Sequence, residues 1–113
     1  MTKDDVLPGH LQELRRGTAV MASLAALREP GYGYALLQTL GDAGIAVDAN
    51  TLYPLLRRLE EQGLLASEWD TTASRPRKIY RTGPEGERVL AAMLADLDAL
   101  RDSVNRLTNG HDS

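Results

Sequence analysis

The chain contains no cysteine and no phenylalanine, and only two histidines, His10 and His111. Without cysteine there is no disulfide framework, no thiolate metal site and no cysteine nucleophile, a composition that suits a cytoplasmic protein. The histidines fall in the two ends of the chain, far from any serine or carboxylate cluster. No nucleophilic or acid–base constellation can be assembled around them, and neither has metal-ligand spacing to another ligand. The expectation is a protein that is not an enzyme and uses no cofactor and no metal. No apolar run approaches the ~18 residues that span a bilayer, and the acidic, proline-bearing start is not a signal sequence. A membrane partner is therefore not expected.

Positive charge is also scarce. The net charge is −3 and the pI is about 5.3, which superficially argues against nucleic acid, but the distribution matters more than the sum. From Arg75 to Arg81 there are Arg75, Arg77, Lys78 and Arg81 and no acid, whereas from Pro84 onward acids outnumber bases two to one. A phosphate-binding face needs only local positive charge, so the acidic balance of the tail leaves DNA open as a partner.

At 113 residues with 42% apolar content, one domain is expected, with a core modest enough that a second chain adds burial. The most informative stretch runs from Asp48 to Gly63. Asp48 or Asn50 can serve as N-cap, Gly63 as the residue past the end, and Leu52, Leu55, Leu56 and Leu59 recur at helical spacing. At about 100° per residue the opposite side collects Asn50, Pro54, Arg57 and Glu61, with Tyr53 and Arg58 on its flanks. Near its start that outer face is uncharged or cationic. This is major-groove chemistry: Asn pairs bidentately with adenine, Arg with guanine, and a helix N-terminus favours phosphate. Pro54 deletes one backbone bond, so the helix should be distorted at its start or should open a residue or two earlier.

The remaining elements follow in order. Residues 1–10 have no helical stripe and read as a flexible tail. A first helix is predicted over Thr18 to Arg28, with an earlier turn from Leu11, closed by Pro30-Gly31. Gly31-Tyr32-Gly33-Tyr34 leads into a second, short helix ending at Gly41 to Gly44. Its two tyrosines either cap the core with their rings or direct hydroxyls at phosphates or a ligand. Ile45-Ala46-Val47 is a very short strand or an extended linker. After the Asp48–Gly63 helix, Leu64 to Asp70 and Lys78 to Arg81 alternate as strands across a turn-rich Thr71–Pro76 stretch, giving a hairpin. The only tryptophan, Trp69, reads as a core or hairpin-packing residue.

Two helices, a turn, a third helix with a polar outer face, then a hairpin with a cationic tip make a winged helix-turn-helix, a mainly α fold with a small β-hairpin. Arg75, Arg77 and Lys78 at that tip are placed to straddle a phosphate backbone or probe a minor groove. Thr82-Gly83-Pro84-Glu85 fits a capping box before a last helix. In it Leu90, Met93, Leu97, Leu100, Val104 and Leu107 fall at alternating spacings of three and four, a seam for a second copy of the chain. The predicted organisation is a tail over 1–10, a winged helix-turn-helix over 11–82, a dimerisation helix over 83–108 and a second tail over 109–113. A winged module that binds an acidic protein partner is the alternative. The polar Asn50, Tyr53 and Arg57 speak against it, because interface cores favour apolar anchors.

Several of these segments carry a resemblance. Leu14-Arg15-Arg16-Gly17-Thr18, Gly31-Tyr32-Gly33-Tyr34, Thr51-Leu52-Tyr53-Pro54 running into Arg57-Arg58-Leu59-Glu60, and Arg77-Lys78-Ile79-Tyr80-Arg81 with Pro84-Glu85-Gly86 are similar to the PadR family of bacterial transcriptional regulators. The similarity extends roughly over residues 14–107. It implies a dimeric repressor acting at a promoter beside or at its own gene, on a two-fold symmetric double-stranded operator. Thr51, Tyr53 and Pro54 would lie at the DNA-facing start of the recognition helix, Arg77 and Lys78 in the wing, and Tyr34 near the backbone. The short chain after the wing resembles the smaller subgroup with a single C-terminal dimerisation helix. Relatives sense small aromatic or planar effectors in a cavity at the dimer interface. Asn50 stands where the family often has a small residue such as glycine, which makes it the candidate adenine contact.

Overall fold

The breaks between helices are set by local backbone chemistry. In a computed structural model, which describes residues 5–109, the chain runs α1 (Leu7–Arg15), α2 (Thr18–Ala26), β1 (Gly31–Tyr32), α3 (Gly33–Asp42), α4 (Ala49–Glu61), β2 (Leu65–Asp70), β3 (Arg77–Thr82) and α5 (Pro84–Thr108). Gly17, with φ of 91°, separates α1 from α2, a left-handed conformation that costs glycine little. Gly63, φ of 80°, closes α4: its N–H donates to the Glu60 carbonyl and the next N–H, from Leu64, donates to Leu59, both at 2.9 Å. This paired arrangement satisfies two carbonyls that the helix end would otherwise leave open.

α4 opens at the earlier of its two candidate caps. Asp48 Oδ1 accepts from the Thr51 N–H at 2.8 Å, so the helix starts two residues before Asn50 could have capped it, and Pro54 lies inside it. Its apolar stripe supplies the centre of the core. Leu52, Leu55, Leu56 and Leu59 are buried with Leu24 and Leu27 of α2, Leu36 and Leu40 of α3, Leu64, Leu65 and Leu90; Tyr80 is the single aromatic member.

The sheet is antiparallel in the order β1-β3-β2. The hairpin matches its sequence reading, but the third strand does not come from Ile45-Ala46-Val47, which is an extended linker. It comes from Gly31-Tyr32, which pairs with Tyr80 and Ile79. Thr82 ties the base of the hairpin to α2, its N–H reaching Leu27 O at 2.8 Å and its hydroxyl Leu24 O at 2.7 Å. Both carbonyls belong to a helix C-terminus and have no partner within the helix.

Two further expectations are corrected. The predicted tail over 1–10 gives way to helix from Leu7: Asp5 Oδ1 accepts the Leu7 N–H at 3.1 Å, and Pro8 occupies the first turn, where its missing N–H costs nothing. Residues 1–4 lie outside the described residues. The predicted capping box before the last helix does not form, because the Thr82 hydroxyl is committed to Leu24. Gly83 caps α5 without a side chain, and Pro84 sits in the first turn. Asn109 is the C-cap of α5, and the rest of the predicted second tail, with His111, lies outside the described residues.

α5 leaves the domain as it goes. Its first turns pack against α2 and the hairpin base, with Gly86 buried and Leu90 in the core, while its last turns are exposed. The radius of gyration is 17.5 Å, against about 13 Å for a compact chain of this length. A Cβ placed on Gly86 would lie 2.2 Å from the Leu64 carbonyl oxygen, and that oxygen is held in place by the Gly83 N–H at 3.1 Å. Gly86→Ala should therefore destabilise the fold by about 3 kcal/mol, read as a lower urea midpoint with unchanged slope; a midpoint within error of the parent would show that α5 docks less tightly on the hairpin base.

Candidate nucleic-acid interface

Because α4 buries its leucines, its other face is committed to solvent. Asn50, Thr51, Tyr53, Pro54, Arg57 and Arg58 are all exposed there, and no acid appears among them. Asp48 is held by its capping bond, and Glu60 turns away toward the sheet. The Glu60 carboxylate accepts from Ser67 Oγ and from Lys78 Nζ, the latter at 3.1 Å. The Ser67 hydrogen bond, aided by Lys78 and opposed by partial burial, holds that carboxyl below the usual range. Lys78 is thus an ion-paired residue of the sheet's α4 side rather than a free cation of the tip.

Tyr53 is positioned by α3. A Cβ on Gly33 would come 2.7 Å from Tyr53 Cε1, so only the missing side chain lets the ring lie against the first turn of α3. The Gly-Tyr-Gly-Tyr and Thr-Leu-Tyr-Pro segments meet at this contact.

The two tyrosines of the first segment do not cap the core. Tyr34 is 56% exposed and Tyr32 is half-buried on the outer face of the sheet; the core position is taken by Tyr80. Their rings stack at 5.8 Å, and the Arg77 guanidinium lies over Tyr32, 4.1 Å from its centroid. Arg77 Nη1 donates to the Tyr34 hydroxyl at 3.1 Å, while its Nε is buried without a partner. Tyr32 in turn donates its hydroxyl to Asp70, whose other oxygen accepts from the Thr72 N–H at 3.0 Å and the Thr72 hydroxyl at 2.7 Å. One carboxylate therefore ties the first turn of the wing loop to β1. Arg77 was expected at the tip; it is the first residue of β3 and braces the wing against Tyr32 and Tyr34. Of the three basic residues expected at the tip, Arg75 is the one in the loop, exposed and with no ionic partner among the described residues. Sequence reasoning missed Tyr32, Gly33 and Asp70 as supports, since no spacing relates positions so far apart.

Trp69 is likewise not in the core. It is 62% exposed, opposite Lys78 in the hairpin register. Along α5, Leu90 is 4% exposed and already committed to the protomer core, and Met93 is half-buried. Leu97, Leu100, Val104 and Leu107 are exposed, Leu107 at 83%. With Leu14 and Met21, the first three of these border a mainly apolar groove of about 1040 Å³. α1 adds Leu7, Leu11 and Leu14, all exposed. His10 is exposed in α1, and among the described residues no cluster of three or more His, Asp or Glu is placed to hold a metal ion. Among the same residues no helix is long and apolar enough to cross a membrane.

Residues 20–92 match the model of the transcriptional regulator PadR-like family. The transcriptional regulator Rv3488 of Mycobacterium tuberculosis is 39% identical over 79 residues, which span 70% of this chain and 71% of that protein. The crystal structure of a PadR family transcriptional regulator from Eggerthella lenta is 56% identical, covers 96% of both chains and superposes with a TM-score of 0.89. A PadR-like transcription factor from Bacteroides fragilis is 33% identical, with 88% of this chain and 98% of that one covered and a TM-score of 0.75.

The three hydrogen bonds from Tyr32 and Thr72 hold the Asp70 carboxyl from its ordinary 3.8 down to about 2. A depressed folded-state value means that Asp70 supports the wing fully above pH 3.8 and loses that support as pH falls through about 2. The Thr72 amide resonance should titrate with a midpoint near the lower value. Asp70→Asn should make the wing loop mobile at neutral pH while α4 keeps its protection from hydrogen exchange, and a midpoint at the ordinary value would refute the anchoring role.

Proposed function

The chain belongs to the PadR-like family of transcriptional regulators, and from that premise we propose that it is a DNA-binding repressor, working as a homodimer in the cytoplasm. It acts on a two-fold symmetric operator at its own or an adjacent promoter. The observation that carries this reading is the outer face of α4: exposed, free of acid from Ala49 to Arg58, and rich in base-reading side chains. In this reading residues 11–82 form the DNA-binding unit and residues 83–108 the dimerisation helix. Asn50 and Arg57 reach base edges in the major groove, while Thr51, Tyr53, Pro54 and Arg58 line the entry of α4. Tyr34 lies near the backbone, and Arg75 takes a phosphate at the tip of the wing that Arg77 and Lys78 hold in place.

The dimer follows from α5. Its exposed seam of Leu97, Leu100, Val104 and Leu107, alongside the exposed leucines of α1, leaves a long apolar surface that a second copy would cover. Leu90 supports that seam from the core side. The groove between α1, α2 and α5 would then lie at the dimer interface, of a size to admit a small aromatic or planar effector that releases the repressor.

The decisive experiment is retention of DNA from upstream of its own gene, in competition with random DNA, across a salt series. A repressor would keep a selective, two-fold symmetric footprint at near-physiological salt. Arg57→Ala or Asn50→Ala should relax preference at one or two base pairs, costing about 1–3 kcal/mol each. Arg75→Ala should weaken binding to every sequence and lower the salt slope by about one unit. Leu97→Asp should give monomers by analytical ultracentrifugation, with poor operator affinity; a dimer that survived it would refute the α5 seam.

A further inference from the structure

Trp69 is the only tryptophan of the chain, and its exposure is the largest departure from its expected place. The register puts Leu65, Ser67 and Trp69 of β2 on one face of the sheet, opposite Thr82, Tyr80 and Lys78. This is the face turned to α4. Leu65 and Tyr80 enter the core, and Ser67 and Lys78 both bond Glu60 of α4. Same-face neighbours on a strand are about 6.6 Å apart, so Trp69 projects from that face one step past Ser67. It is the penultimate residue of β2, before the loop that carries Arg75. The Lys78 ammonium lies 5.9 Å from its ring centroid.

A single exposed apolar side chain ordinarily needs no explanation. This one stands on an edge strand, where a large uncovered ring invites edge-to-edge association. It also stands on the α4 side of the sheet, in the stretch of chain between α4 and the loop that carries Arg75. We propose that Trp69 is a contact to the sugar–phosphate backbone of duplex DNA. The indole face packs on a deoxyribose and its Nε1–H donates to a phosphate oxygen. This proposal rests on the reading of α4 and the wing as a DNA interface. With α4 in the major groove and the wing on the neighbouring backbone, the intervening strand would pass the side of the hairpin on which Trp69 stands. A phosphodiester strand alternates apolar sugar with anionic acceptor, and an indole offers an apolar face with a single donor. Such a contact positions the protein and carries no sequence information.

Because the contact is sequence-independent, a short mixed-sequence duplex at low salt suffices as probe, and because Trp69 is the only tryptophan, emission reports this residue alone. The measurement is acrylamide quenching of the full-length protein with and without saturating duplex, with complex formation verified separately by gel retardation. The quenching constant should fall severalfold in the complex. Trp69→Ala should weaken binding to mixed-sequence and upstream DNA by the same factor, about tenfold, and Trp69→Phe, which keeps a ring without the donor, should fall between. A complex that forms with the quenching constant unchanged overturns the proposal and leaves the DNA reading intact. Absence of any complex overturns both. Protection that appears without DNA and grows with protein concentration overturns it in favour of a contact between copies of the chain. The quenching result stands even if the alanine variant folds poorly, since it is read on the native sequence.

Discussion

Burial of four leucines on one side of α4 is the constraint on which the rest of this molecule depends. Each fully buried leucine contributes roughly 1.5–3 kcal/mol, so the four together match the whole net stability of a typical domain, about 5–15 kcal/mol. The helix cannot rotate about its axis without losing that term. Its opposite face is therefore fixed in direction, and Asn50, Tyr53 and Arg57 are presented to solvent as a rigid set rather than as mobile surface residues. The Asp48 cap and the paired bonds at Gly63 fix where the set begins and ends.

The wing is held by a different kind of force. Hydrophobic burial stops at Tyr80, and beyond it the hairpin is oriented by polar side chains: Glu60 with Ser67 and Lys78 on the side facing α4, and Asp70 with Tyr32, Thr72 and the stacked Arg77 on the other. Two basic residues of the hairpin, Arg77 and Lys78, are thus engaged by partners within the chain. Arg77 is engaged on two tyrosines, whereas Arg75 has no ionic partner among the described residues.

α5 joins two environments. Gly86 and Leu90 lock its start to the hairpin base and the core, and Leu97 to Leu107 extend an apolar stripe past the edge of the domain. A groove bordered by both α1 and α5 lies beside that stripe.

Much of this was legible locally. The α4 and α5 stripes, the hairpin and the punctuating glycines each depend on neighbours within a few residues, so period and composition revealed them. The start of α1 was missed because its residues carry no apolar stripe, although Pro8 fits a first turn and Asp5 accepts the Leu7 N–H. Gly31-Tyr32 was missed as a strand because two residues have no period; only the free edge of β3 makes them one. Trp69 read as a core or hairpin-packing residue; it is not in the core but stands opposite Lys78 on the hairpin, largely exposed. The sequence by itself determined the helix faces, the hairpin and the acid-free stretch of α4 from Ala49 to Arg58, since side-chain periodicity is a property of the local backbone. Tertiary structure alone decided which cations remain free, where the tyrosines bond and on which side of the wing the tryptophan stands, because these depend on pairings between residues distant in the chain.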